Sequence, residues 1–268
     1  MSSDRFYTTA DGARIAYELT GRGRPVGYAH GVLLSRAAVR GLQLFDIDAI
    51  AADRRLLTYD QRGHGHSTGR STPADYRFEH AADDLLDLLD AADIDEPIDF
   101  AGSSLGAAAA LYAALAAPHR FRRLALLIPP VAWESGPDQR RQWYLDTAEL
   151  IDDIGAAAWR QQWADAAPLP IFAEHPQAKF NPDVDDALVS SALRGVGQSD
   201  LPEPAKLASL PHPTLILAWD TDPLHPVSTA ETGAVDPRLD TAHRPHRRRR
   251  QNLDPAHRRL LPRLTTGC

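Results

Sequence analysis

The segment Pro97-Ile98-Asp99-Phe100-Ala101-Gly102-Ser103-Ser104-Leu105-Gly106 constrains this chain more than any other. An apolar run that reads as a strand ends in Gly-x-Ser-x-Gly, and an alanine-rich helical stretch over 105–117 follows, closed by Pro118. Flanking glycines relieve crowding where a strand turns sharply into a helix, and such a turn lifts the serine side chain clear of the sheet. The amide after the serine, that of Leu105, then points to where negative charge develops on an attacked carbonyl. Tight packing alone would also suit a small-residue turn into an alanine helix, so the neighbouring segments decide the reading.

Those neighbours alternate between strand-like and helix-like. Residues 14–19 alternate apolar and polar, as a half-exposed strand does, and 25–30 and 55–60 are short apolar runs that end in turn residues. Residues 79–92 carry Leu85, Leu86, Leu88 and Leu89 among aspartates at helical spacing, and 123–128 reads as another strand. Such alternation predicts an α/β fold with a mostly parallel sheet flanked by helices. From Val131 to Leu210 the character changes to helical, charged segments that carry Trp133, Trp143, Trp159 and Trp163. Strand character returns over 213–219. We divide the chain into a core of 1–130 and 211–240, a helical insertion of 131–210, and a basic, poorly ordered tail of 241–268.

Two further segments agree with the Ser104 turn. His30-Gly31 ends an earlier strand, where a second donor to a developing oxyanion is needed; the backbone N–H of Val32 fills that role. Asp60-Gln61-Arg62-Gly63-His64-Gly65-His66-Ser67 follows the next strand, and Asp60 and Arg62 can fix its irregular turn with charge-assisted bonds. His64 and His66 invite a metal reading, but an isolated His-x-His without further ligands is more often loop structure. In order and approximate spacing, HG, DQRGHGHS and G-S-S-L-G resemble the α/β-hydrolase superfamily, most closely its esterase, enol-lactonase and cofactor-free haloperoxidase branch.

The resemblance covers roughly residues 5–230 and implies an eight-stranded sheet with a helical cap inserted after the sixth strand. It also implies a serine nucleophile, Ser104, acting on a carboxylic ester or lactone with no metal or organic cofactor. C–C bond hydrolysis and perhydrolysis would use the same constellation. Aspartate stands at this position in epoxide hydrolases and haloalkane dehalogenases, so serine argues against both. The tryptophans of 131–210 either line an acyl pocket or pack the cap.

Family order puts the acid after the seventh strand, in Trp219-Asp220-Thr221-Asp222-Pro223-Leu224-His225-Pro226. The family's spacing selects Asp222, with Asp220 as the alternative, to orient an imidazole and stabilise the imidazolium. The histidine is expected about 25–30 residues further on, after a last strand. Residues 241–250 read Thr-Ala-His-Arg-Pro-His-Arg-Arg-Arg-Arg, which suits neither a buried strand nor an amphipathic helix. His246 is nearest the expected spacing; His243 and His257 are the alternatives. A fold retained for ligand binding, without a working base, is the rival reading.

The net charge hides an asymmetry between a basic tail and a markedly acidic remainder. Net charge is −7, yet nine arginines fall between Arg238 and Arg263, and the chain holds 27 arginines against 2 lysines. Such usage suggests GC-rich coding DNA, and runs of Arg, His and Pro are what it encodes out of frame. Permitted codons for 235–239, read one base later, can give Ser-Ile-Pro-Gly-Ser, like the turn before the family's last strand. We read a frame change near Glu231 to Ala234, which would remove the last strand and leave an unprotected sheet edge. The basic run then calls for no nucleic-acid partner. No apolar run approaches the roughly 20 residues of a membrane span, and residues 1–6 lack a signal-peptide layout. The single cysteine, Cys268, excludes a disulfide framework. A cytoplasmic enzyme with a small-molecule substrate is the expectation.

Overall fold

A computed structural model describes residues 4–42, 46–49, 53–133, 140–166, 178, 180–219, 222, 224–233 and 239–244. Eight strands form one sheet: β1 (Arg5–Thr8), β2 (Arg14–Gly21), β3 (Pro25–Ala29), β4 (Arg55–Tyr59), β5 (Ile98–Ser103), β6 (Phe121–Leu127), β7 (Thr214–Trp219) and β8 (Leu239–Arg244). Their spatial order is β1-β2-β4-β3-β5-β6-β7-β8. β1 and β2 run antiparallel at one edge, and β3 through β8 are parallel. The helices are α1 (Arg36–Leu42), α2 (Phe78–Ala91), α3 (Leu105–Ala116), α4 (Arg140–Ile154), α5 (Ala156–Asp165), α6 (Val189–Gly197), α7 (Pro204–Leu207) and α8 (Val227–Gly233). None of the described helices is long and apolar enough to cross a membrane.

Strand alternation sorts side chains to the two faces of the sheet. Leu56 and Ala101 join Val39 of α1 in one cluster, while their neighbours Leu57 and Phe100 join α2 and α3 in the other. Helix α2 presents Leu85, Leu88 and Leu89 to the sheet and to α3, so the leucines fall on one stripe. Between β6 and β7 the chain forms α4 to α7, and α4 packs on α6. Trp143, Trp159, Trp163 and Phe180 meet there at ring centroid distances of 5.3 to 6.4 Å. Trp159 belongs to the main core cluster, and the other three rings pack against it.

Two findings depart from the sequence reading. β1 has no counterpart among the expected strands, because Arg5-Phe6-Tyr7-Thr8 shows no clean alternation on an exposed edge. The sheet also does not stop at β7. Residues 239–244 pair in parallel with Thr214–Trp219, so the core runs past 240 and the expected bare edge is covered. Main-chain N–H and C=O groups make such a ladder whatever the side chains, which is why the mixed segment Leu-Asp-Thr-Ala-His-Arg can supply it.

The loop after β4 is anchored by buried charge. Arg62 donates to Asp84 at 2.8 and 3.0 Å and to Asp11 at 2.9 and 3.1 Å, with its side chain 4% exposed. Burial pushes the Asp84 carboxyl up against the opposing pull of Arg62. Asp60 accepts the backbone N–H of Arg36 and of His66 and the Arg36 guanidinium; burial opposes its ionisation, but these donors hold its pKa below the usual carboxylate range. His30 Nε2 accepts the Gln61 N–H at 2.9 Å, and its Nδ1–H donates to Gly31 O at 2.8 Å. Asp60 and Arg62 therefore fix this turn as expected.

Replacing Arg62 with leucine strands Asp84 in the core, and the expected loss is about 3 kcal/mol of unfolding free energy, read from the urea midpoint. A second expectation concerns pH. Burial lowers the pKa of both His30 and His64, that of His64 to about 3, against 6.5 for a free imidazole. Below pH 6.5 the unfolded chain binds protons that the folded chain refuses, so stability falls as pH drops toward 3. His64 contributes up to about 1.4 kcal/mol per pH unit across that window, and His30 acts in the same direction. Urea unfolding at pH 7.5 and pH 5 checks this; a higher midpoint at pH 5 contradicts it.

Candidate active site

Ser104 sits between β5 and α3 with φ 50° and ψ −113°, a strained conformation for a residue with a side chain. Its surroundings enforce it. A Cβ on Gly102 would lie 2.2 Å from Gly106 O, and one on Gly106 would lie 2.3 Å from Ala29 O. Only glycines let α3 start this close to β5 and β3. The Ser104 N–H donates to Leu127 O at 3.0 Å, and its carbonyl accepts from Ala107 and Ala108 at 2.9 and 3.0 Å. The strained residue is thus bonded on both sides to regular structure.

Beside it, β3 delivers the second strand exit. A Cβ on Gly31 would lie 3.2 Å from Ser104 Cβ, so the chain passes Ser104 just before Val32. Among the described residues, neither the Val32 N–H nor the Leu105 N–H has a hydrogen-bond acceptor. Leu105 opens α3, where the first amides lack an intrahelical partner by construction. Both expected oxyanion donors are therefore unbonded near the serine.

His225 stands at the other side of Ser104. Its Nε2 lies 2.9 Å from Ser104 Oγ, and its Nδ1 lies 2.7 Å from Asp222 Oδ2. Asp222 Oδ1 accepts the N–H groups of Leu224 and His225 at 2.9 and 3.2 Å. Burial opposes ionisation of Asp222, but the facing imidazole and these amides hold its pKa below the usual carboxylate range. An ionised carboxylate accepts only, so Nδ1 carries the proton and the bare Nε2 faces the serine hydroxyl. Tyr144 of α4 reaches toward the same place: burial first, then the Asp222 charge, pushes its phenol up.

The structure brings Ser104 and Asp222 together through a histidine that the sequence reading did not choose. His246, expected as the base, and His257 lie outside the described residues, as does Asp220; of His243 only the backbone is described, in β8. The imidazole at Ser104 is that of His225. Its signal was present as Asp-x-x-His, but a spacing of three from the acid conflicts with the family's distant histidine. Only the turn between β7 and α8 shows that His225 folds back onto Asp222 while reaching Ser104.

Metal ligation finds little support in the histidines. His64 is fully buried with both ring nitrogens bonded, to Arg62 O and to the Leu33 N–H, while His66 is exposed and contacts Asp4. Asp11, Asp75 and His80 place possible ligand atoms within 4.8 Å, yet Arg62 and Arg70 already bind both carboxylates.

Known proteins resemble this chain in sequence and in fold. Residues 28–234 match the family described as alpha/beta hydrolase fold. The non-heme chloroperoxidase CPO-A1 of Kitasatospora aureofaciens is 33% identical over 236 residues, 82% of each chain. The 3-oxoadipate enol-lactonase 1 of Acinetobacter baylyi is 26% identical, covering 69% of this chain and 68% of its own. An enol-lactonase structure from Burkholderia xenovorans LB400 superposes with a TM-score of 0.73 at 17% identity, over 89% of this chain and 90% of its own. The chain belongs to the α/β-hydrolase fold family and is an enzyme of the hydrolase class.

Proposed function

We propose that this chain hydrolyses a carboxylic ester or lactone by acyl transfer through Ser104, with His225 as the base and Asp222 as its orienting acid. The observation that carries the reading is the continuous chain Asp222 Oδ2–His225–Ser104 Oγ, with contacts of 2.7 and 2.9 Å. His225 Nε2 takes the hydroxyl proton as Oγ bonds to the carbonyl carbon. The N–H groups of Val32 and Leu105 receive the charge that forms on the carbonyl oxygen. Collapse expels the alcohol oxygen, which takes the proton from His225 Nε2. Water then repeats the sequence on the acyl-enzyme and releases the acid.

Two things support the substrate class. The relatives include a protein named 3-oxoadipate enol-lactonase, and a lactone carbonyl presents the same electrophile as an ester. The site also offers two neutral amides rather than a fixed cation, which suits an oxygen that becomes charged only during reaction. The rival reading, a fold kept for binding alone, requires Ser104 to lack an imidazole within hydrogen-bond reach; His225 at 2.9 Å argues against it.

Labelling with a fluorophosphonate probe tests the nucleophile, and Ser104→Ala is expected to abolish it; persistent labelling sinks the assignment. On p-nitrophenyl esters of graded chain length, His225→Ala is expected to lower kcat by about 10³-fold or more. His246→Ala and His243→Ala are expected to leave kcat within about twofold, as for substitutions outside the reacting groups. The opposite pattern, with His225→Ala active and His246→Ala inactive, would return the base to the C-terminal segment.

A further inference from the structure

Leu33 follows the Val32 amide in a left-handed conformation, φ 67°, although it is neither glycine nor asparagine and is 2% exposed. Residues with a side chain persist there only when their surroundings over-determine the backbone. Here the restraints are explicit. The Leu33 N–H donates to His64 Nε2 at 3.2 Å, and the Leu33 carbonyl accepts the Asp183 N–H at 2.8 Å. The next N–H, of Leu34, returns to Gly31 O at 3.2 Å.

The two partners are themselves joined. Gly65 N–H donates to Asp183 O at 2.9 Å, Asp185 N–H donates to Gly63 O at 3.0 Å, and His64 bridges to Val184. The cap segment just before α6 and the loop after β4 therefore both hold Leu33. His64 can play its part in only one form. The Arg62 carbonyl at 2.8 Å only accepts, so Nδ1 carries the proton; the Leu33 N–H only donates, so Nε2 is bare. A protonated ring would set N–H against N–H.

We propose that His64 is a positioning residue for the oxyanion hole: by accepting the Leu33 N–H it fixes the left-handed turn that leaves the Val32 amide unbonded beside Ser104. The inference rests on the acyl-transfer reading of Ser104. His64 touches no substrate; it engages the neighbouring amide and keeps the turn from relaxing to a form in which Val32 points elsewhere. The ring's bulk alone would not do this, because the restraint is one acceptor atom at one place.

Three variants separate positioning from packing. His64→Phe keeps a ring and removes the acceptor, while His64→Gln returns an acceptor near the end of the side chain. Because removing an oxyanion donor outright costs about 10²–10³ in kcat, displacing one is expected to lower kcat of His64→Phe about 10- to 100-fold. KM should change less than about threefold, since the donor acts on the transition state. Affinity for an alkyl boronic acid, whose Ser104 adduct places an oxygen in the hole, should fall in parallel. His64→Gln should recover kcat to within about fivefold of the parent, as a hydrogen-bonding replacement can.

An unchanged kcat in folded His64→Phe overturns the proposal, as does a glutamine variant no better than phenylalanine. Ser104→Ala run alongside keeps the two claims apart: an inactive parent, or activity that survives Ser104→Ala, defeats the hydrolase reading instead. Should His64→Phe fail to fold, the imidazole nitrogen shifts of His64 in the parent protein at pH 7 decide. A bare Nε2 supports the proposal, and an Nε2-protonated ring overturns it.

Discussion

The close approach of α3 to the sheet sets the geometry of everything around Ser104. Gly102 and Gly106 let the helix begin against β5 and β3, where a Cβ would meet backbone oxygens at 2.2 and 2.3 Å. At that separation the residue between strand and helix must take φ 50°, and the Ser104 side chain turns out of the sheet. The strain is held by bonds on both flanks, from the Ser104 N–H to β6 and from α3 to the Ser104 carbonyl. Strain of about 1–3 kcal/mol is sustainable when surrounding structure fixes the backbone this fully.

The proposed acid and base, Asp222 and His225, come from one short stretch after β7. Asp222 accepts two amides of its own turn and the ring of His225, so acid and imidazole are oriented together rather than brought from separate elements. This arrangement draws on Asp222, Leu224 and His225, which precede β8 in the chain. It also sits under the cap, since Tyr144 of α4 feels the Asp222 charge.

The loops at the mouth of the sheet use buried polar groups where a simpler core would use hydrocarbon. His30, Asp60, Arg62 and His64 are each buried and each bonded to backbone or to opposite charge. Their bonds fix backbone direction over residues 30–36, where Gly31 passes Ser104, and over 60–67. Apolar contacts could stabilise such loops but would not specify which amide is left free.

Much of the fold was legible in the sequence. Eight of the strands and helices around the elbow fall within a few residues of their expected bounds, because strand alternation and helical stripes are local patterns. The Gly-x-Ser-x-Gly spacing, His30-Gly31 and the Asp60–Ser67 turn pointed to Ser104, Val32 and Leu105 as candidates, since glycine placement and strand exits depend on short-range sterics. Asp222 was reachable from its position after β7. What only the tertiary structure decided was the partner of Ser104 and the last strand. His225 lies 121 residues from Ser104, and no periodicity reports a contact at that range. β8 forms from main-chain pairing that charged side chains do not reveal. Local sterics wrote the elbow into the sequence; the imidazole beside it is a matter of how distant loops meet in three dimensions.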